Sequence, residues 1–171
     1  RAEFVGPTVS NELIKAGIIA IMLAIIAMLI YIWFRFELQF AVGAVIALIH
    51  DTVLTVGLFA ATSLEFNLAT VAAILLIIGY SMNDTVVVYD RIRENIKKFR
   101  KLDIVKLLNK SINETLSRTI NTTLTTILAL LALYIFGGSI IKDFSFAMIW
   151  GILIGTYSSI LLATPALLFL K

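Results

Sequence analysis

Apolar residues along the chain fall into five long runs, each close to the roughly 20 residues a helix needs to cross a hydrocarbon core of about 30 Å. The first covers residues 16–34, carries no charge, and is bracketed by Lys15 and Arg35. The second covers 38–64 and is interrupted by His50 and Asp51; the third covers 68–89 and contains Asn83 and Asp84. The fourth and fifth cover 119–136 and 144–170. Connections are short at 35–37, 65–67 and 137–143, and long only at 90–118. Inside that long connection Asp103 stands where a helix N-cap belongs, followed by Ile104, Val105, Leu107, Leu108, Ile112 and Leu116 at helical spacing. This stripe predicts an amphipathic helix lying on the membrane surface; a helix docked on a partner protein is the alternative. The expected fold is therefore all-α: a polytopic membrane bundle of five transmembrane helices plus one cytoplasmic amphipathic helix. Small residues recur at Gly151, Gly155, Ser159 and Ala163, and at Gly43 and Ala47, a spacing that lets helix backbones approach closely in lipid.

Composition agrees with the pattern. Hydrophobic residues make up 60% of the 171 positions and charged residues 15%, against roughly half and about a quarter in soluble domains. The absence of cysteine excludes disulfides and thiolate metal sites, and a single histidine excludes a multi-histidine site within the chain. With no phosphate-binding glycine loop and no nucleophile constellation, an enzyme is the least expected class. The chain starts at Arg1 rather than methionine and reads as part of a longer protein, residues 1–15 forming an outward-side tail.

Charge matters through its distribution. Arg91, Arg93, Lys97, Lys98, Arg100, Lys101, Lys106, Lys110 and Arg118 all fall in the long connection, with Arg35 and Lys171 on the same side. Arg1, Lys15 and Lys142 fall on the other. Basic residues favour the cytoplasmic side, so the expectation is a cytoplasmic long loop and C-terminus, with the N-terminus outside. Anionic lipid head groups account for the basic loop more simply than nucleic acid does.

Charged groups within hydrocarbon are costly and mark function. Asp84, His50 and Asp51 are the ionisable groups within the runs. At the helical rise, Asp84 lies roughly 9 Å and His50 roughly 14 Å from the cytoplasmic ends of their spans, a similar depth if the helices are neighbours. A carboxylate there must be protonated or balanced by a cation. Arg118 is the available cation, and it is followed by an unusually polar helix entry: Thr119, Asn121, Thr122, Thr123, Thr125 and Thr126. An aspartate balanced by a movable arginine is a plausible proton carrier. The plainer alternatives are an arginine that snorkels to the interface, a histidine used for packing, and a structural buried carboxylate. His50 and Asp51 point about 100° apart on a helix and need not share a site. Asp90, Arg91, Arg93 and Glu94 read as a solvated helix end.

The run Gly79-Tyr80-Ser81-Met82-Asn83-Asp84-Thr85-Val86-Val87-Val88-Tyr89-Asp90-Arg91-Ile92-Arg93-Glu94-Asn95 resembles the signature of the SecF family. Further resemblance lies in Val5-Gly6-Pro7, Arg35-Phe36-Glu37, Ala47 to Asp51, Arg118 to Thr122 and Gly155 to Ser159, in the family's order. The resemblance implies half of a resistance-nodulation-division (RND) type membrane fold, lacking one helix and an outward domain. It implies a subunit that acts with SecD, using the proton-motive force to assist export of preproteins across the bacterial cytoplasmic membrane. The SecYEG translocon and YajC are implied as further partners, and protons are the only cofactor implied. Carried over by motif, Asp84 is the proton-relay carboxylate and Arg118 its basic partner, with His50, Asp51 and Asn83 as weaker members. An exporter of small molecules or lipids with the same fold, and a passive translocon scaffold, are the competing readings.

Overall fold

The structure, a computed structural model, describes residues 7–62 and 67–169. Those residues are almost entirely helical: α1 (Pro7–Arg35), α2 (Leu38–Thr62), α3 (Leu68–Lys98), α4 (Ile104–Phe136), α5 (Ser139–Ser158), a π-helical turn (Ser159–Ala163) and α6 (Thr164–Phe169). Five helical segments are long and apolar enough to cross a membrane, the last formed by α5, the π turn and α6 together. The tail expected over residues 1–15 is helical from Pro7 onward, and its first six residues lie outside the described ones. The same holds for residues 63 and 64 of the second run, for positions 65 and 66 of its connection, and for residue 170 of the last run.

α3 is the central element and packs against α1, α2, α4 and α5. It starts at Asn67, whose side chain accepts from the Thr70 amide at 3.1 Å in a reciprocal capping box. α1 is peripheral, presenting Ile18, Met22, Leu23 and Ile26 outward. Two apolar clusters flank a polar middle layer. One joins Phe36, Phe40, Leu48, Ile74, Tyr89, Ile92 and Leu108 among others; the second joins Phe59, Ala73, Ile77, Leu130, Met148 and Ile152.

The long connection differs from its expected form. At about 1.5 Å per residue, α3 and α4 are each over 45 Å long, well beyond a core of about 30 Å. Their excess lies at one end, joined by a tight turn through Phe99 to Asp103. The amphipathic stripe is therefore the first half of α4, continuous with the span, and it lies on this chain instead of on a membrane surface. Leu107 and Leu108 are buried in the cluster that holds Ile92, with Ile104 and Ile112 packed beside them. Asp103 caps the helix as expected, accepting from the Val105 amide at 3.1 Å. The last connection is shorter than expected, since α5 begins at Ser139.

Close packing explains the small residues. A Cβ on Gly151 would lie 2.3 Å from Ile77, and one on Gly155 would lie 2.9 Å from Ser81, so these glycines let α5 lie directly on α3. Gly43 makes room for the Tyr89 hydroxyl, which donates to the Ala163 carbonyl at 2.9 Å and ties α3 to the π turn. Pro165 has no amide to give the preceding turn, and the Thr164 hydroxyl donates to Ser159 O at 3.0 Å across the widened turn.

Gly151→Ala overpacks this seam and should destabilise the full-length protein by about 1–3 kcal/mol. Gly57→Ala, where a Cβ meets nothing within 4 Å, should be neutral or stabilise by up to about 1 kcal/mol. Unfolding titrations in mixed micelles measure both, and equal effects would contradict the packing described.

Candidate functional site

The polar middle layer holds two carboxylates, and they are solvated very differently. Asp51 on α2 is fully buried. Its Oδ2 accepts from Ser81 Oγ on α3 at 2.6 Å and from Ser158 Oγ at the end of α5 at 2.7 Å. Its Oδ1 lies 3.0 Å from His50 Nδ1. Three helices thus meet on one side chain. Ser158 also has the Gly155 carbonyl within reach at 3.1 Å. A hydroxyl has one proton, so it serves Asp51 or its own helix, and the shorter contact is to Asp51.

Asp84, one turn beyond Ser81 on α3, is also buried, at 3% exposure. Its hydrogen-bonding is sparse: Thr156 Oγ1 approaches Oδ2 at 3.4 Å, the long end of the range. Thr156 is at the same time 2.9 Å from Thr123 Oγ1 on α4. A chain of three side chains, Asp84–Thr156–Thr123, therefore links α3, α5 and α4. Arg118 lies close enough for its charge to act on Asp84, but its side of α4 is exposed, and among the described residues no ion pair joins the two.

The expected site residues divide accordingly. His50 and Asp51 do share a contact despite their angular separation, because the imidazole folds back onto its neighbour; it is half-buried beside Tyr157, ring centroids 6.3 Å apart. Among the described residues no hydrogen bond or ion pair joins His50 to Asp84. Asn83 is exposed and points away from Asp84. Gly79 is half-buried with open space at its Cβ position, and the Thr85 hydroxyl bonds Ser81 O at 3.0 Å within its own helix. Tyr80 explains part of the polar entry to α4: its hydroxyl donates to Thr122 O at 3.2 Å and pairs with Thr126 Oγ1. Thr122 and Thr125 satisfy themselves on carbonyls one turn back. Ser158, Thr156 and Thr123 are the members that a search for ionisable groups passes over; two hydroxyls at 156 and 158 inside an apolar run were the available signal.

The segment from Asp90 to Asn95 is solvent-accessible at Arg93 and Glu94, as expected, and it also forms a clamp. Because α3 and α4 continue side by side, Arg91 Nε donates to Glu114 Oε2 at 2.7 Å while the other face of the guanidinium meets Glu94. Asn95, 1% exposed, donates to Ser111 Oγ at 2.9 Å and to Glu114 Oε2 at 2.7 Å. Lys110 closes the group at 2.9 Å from Glu114. Arg35 binds Asp90 at 2.8 Å, and Arg93 donates to Arg35 O at 3.2 Å, fastening the end of α1. Glu114 precedes the apolar stretch of α4, and hydrogen bonds from Asn95, Arg91 and Lys110 hold its pKa down at about 2.

A helical bundle with carboxylates in its middle layer and a clamp beyond one end defines a multi-pass membrane protein. Comparison with known proteins makes the class specific. The family model for "Protein export membrane protein SecD/SecF, C-terminal" matches residues 1–171. The protein translocase subunit SecF of Magnetococcus marinus is 54% identical over 170 residues, covering 99% of this chain and 55% of that protein. That of Rickettsia rickettsii is 53% identical over 167 residues, covering 98% and 54%. The crystal structure of SecDF, a translocon-associated membrane protein from Thermus thermophilus, superposes with a TM-score of 0.91 at 44% identity, over 96% of this chain and 23% of that one. SecDF in its super-membrane-facing form gives 0.83 at 42% identity, over 96% and 22%. The chain belongs to the SecD/SecF family of protein-export membrane proteins, on its SecF side. It spans about half the length of the SecF relatives it matches.

The clamp has a pH signature. Glu114 is lowered in the fold from its ordinary 4.5 to about 2, so its contribution to stability is complete above 4.5 and is lost as pH falls from there towards 2. Thermal unfolding of the full-length protein across that window should show a falling stability that Glu114→Gln flattens. An unchanged slope in the variant would contradict the clamp.

Proposed function

We propose that this chain is the proton-responsive membrane half of a SecF subunit, which with SecD uses the proton-motive force to assist preprotein export across the bacterial cytoplasmic membrane. The observation that carries the reading is the contrast between the two carboxylates. Asp51 has two short hydroxyl donors and an imidazole, an arrangement suited to holding helices together. Asp84 has one long contact, through a threonine that is itself shared with α4. A sparsely bonded carboxylate in low dielectric gains most from taking up a proton.

In this reading, protonation of Asp84 removes a charge from the α3–α5–α4 junction and frees Thr156 to bond Thr123 alone. Loss of the proton restores the charge and draws Arg118 inward. α4 and α5 shift relative to α3, and access to Asp84 passes from one side of the membrane to the other. Protons are the only cofactor, and the chain is a transport subunit rather than an enzyme. The loop between α3 and α4 and the C-terminus are placed in the cytoplasm, with the start of α1 outside. SecD, SecYEG, YajC, exported preproteins and anionic lipids are the partners, and nucleic acid is not. A passive scaffold is the second reading, favoured by the closed hydrogen-bond set at Asp51.

Export driven by the proton-motive force, in vesicles carrying the full-length protein and SecD, separates the two. Asp84→Asn should reduce export to the level of vesicles without the subunit, at unchanged complex abundance. Export equal to wild type moves the scaffold reading to the front.

A further inference from the structure

At the end of the bundle where α3 and α4 project together, the start of α2, the end of α3, the start of α4 and α6 enclose a groove of about 480 Å³. That volume is within the roughly 300–1,000 Å³ typical of ligand sites. Its floor is apolar: Phe40, Ile92, Leu108 and Leu167 line it and are themselves buried. Ile96 lies at the groove, 42% exposed. Three charged residues line it: Arg93 and Lys97 on α3, and Glu37 at the turn before α2. Among the described residues Lys97 has no ion pair, and Arg93 uses one nitrogen on Arg35 O. Of the acids nearby, Asp90 is paired with Arg35 and Glu94 with Arg91, while Glu37 lines the groove with no ion pair among the described residues, leaving two cations against one acid. From Lys97 the surface continues into a shallow bowl of about 580 Å³ lined by Lys98, Arg100 and Lys101 with Phe99 and Leu102.

Depth matches this division. Taking residue 89 as the end of the apolar run, Ile92 is roughly 4–5 Å and Ile96 roughly 10 Å further along the helix. The head-group layer is about 5–7 Å thick on each side of the hydrocarbon. Phe40 and Leu167 fall inside the apolar runs, at acyl depth, while Ile92 and Arg93 fall within the head-group layer and Lys97, roughly 12 Å out, reaches back towards phosphate through its flexible stem.

We infer that this groove is a seat for one anionic glycerophospholipid, an acyl chain lying on Phe40, Ile92, Leu108 and Leu167 and the phosphate held by Arg93 and Lys97. A soluble anion would not use the apolar floor, and a zwitterionic lipid brings a cationic head into a lining whose net charge is positive, so it gains less than an anionic one. The site is independent of the proton reading, since neither Asp51 nor Asp84 touches it. Its consequence is mechanical: the lipid bridges the start of α2, the α3–α4 hairpin and the last helix.

Native mass spectrometry of the delipidated full-length protein with its partner subunit tests the seat, using dioleoyl phosphatidylglycerol and dioleoyl phosphatidylcholine as probes. One phosphatidylglycerol should bind at lower concentration than phosphatidylcholine. Lys97→Gln should weaken it about fivefold, and Arg93→Gln with Lys97→Gln about thirtyfold, as expected for the loss of one and two interfacial cations. Lys106→Gln, exposed in the same basic region but outside the groove, should change nothing. Ile96→Asp, at a partly exposed position that folding tolerates, should weaken both lipids. Equal binding of the two lipids overturns the seat. So does an equal effect of Lys106→Gln, which would mean a diffuse basic surface, or a groove filled by another segment of the full-length protein so that neither lipid binds.

Discussion

A carboxylate inside a membrane bundle has no bulk water to solvate it, so the few hydroxyls that reach it decide what it can do. Leaving a charge there unpaired costs several kcal/mol, and a single interhelical hydrogen bond in a membrane returns only about 0.6 kcal/mol on average. Asp51 meets that constraint by convergence, with Ser81 and Ser158 from two other helices and His50 from its own. Asp84 does not meet it, having among the described residues one hydrogen bond, at 3.4 Å. The same helix thus carries Ser81, a partner of the buried Asp51, and, one turn on, the sparsely bonded Asp84. Only close approach of α3 and α5 makes either arrangement reachable, and that approach is set by Gly151 and Gly155.

In the basic connection, where the sequence predicted a separate amphipathic helix, the two long helices simply continue. α3 and α4 continue as a helical hairpin held by Arg91, Asn95 and Glu114, so a shift at the Thr123–Thr156 contact has a long rigid arm to move. The last span has the opposite character. Its π turn begins directly after Ser158 and is anchored by Tyr89 at Ala163, which places the irregular turn between the Asp51 knot and the end of the bundle. π turns of this kind recur at functional sites. The proposed lipid seat adds a third constraint, where α6, α2 and the hairpin meet.

Much of this was legible in the sequence. Five apolar runs at membrane length gave five spanning segments, and the glycine spacing marked a close-packing face on the last helix without naming the neighbour, which is α3. Asp84 stood out as a carboxylate inside an apolar run, and it is buried. What was not legible depends on which helices are neighbours. The hydroxyls at Thr123, Thr156 and Ser158 are unremarkable until α4 and α5 are placed against α3. The stripe from Ile104 to Leu116 has the same spacing whether it faces lipid or another helix, so periodicity could not choose between a surface helix and one packed on α3. Asp90, Arg91, Arg93 and Glu94 read as a solvated end, which Arg93 and Glu94 are, but nothing local signals that α4 runs alongside and supplies Glu114. Nor does spacing foretell that an imidazole folds back to its neighbouring carboxylate.

The central claim is that Asp84 exchanges a proton while Asp51 serves as a fixed tie. Infrared difference spectroscopy on the full-length complex in lipid, recorded across a pH step, observes the carboxyl groups themselves. A protonated-carboxyl band that titrates in wild type, disappears in Asp84→Asn and persists in Asp51→Asn is the result predicted. A band that is unaffected by Asp84→Asn, or that belongs to Asp51 alone, would contradict it.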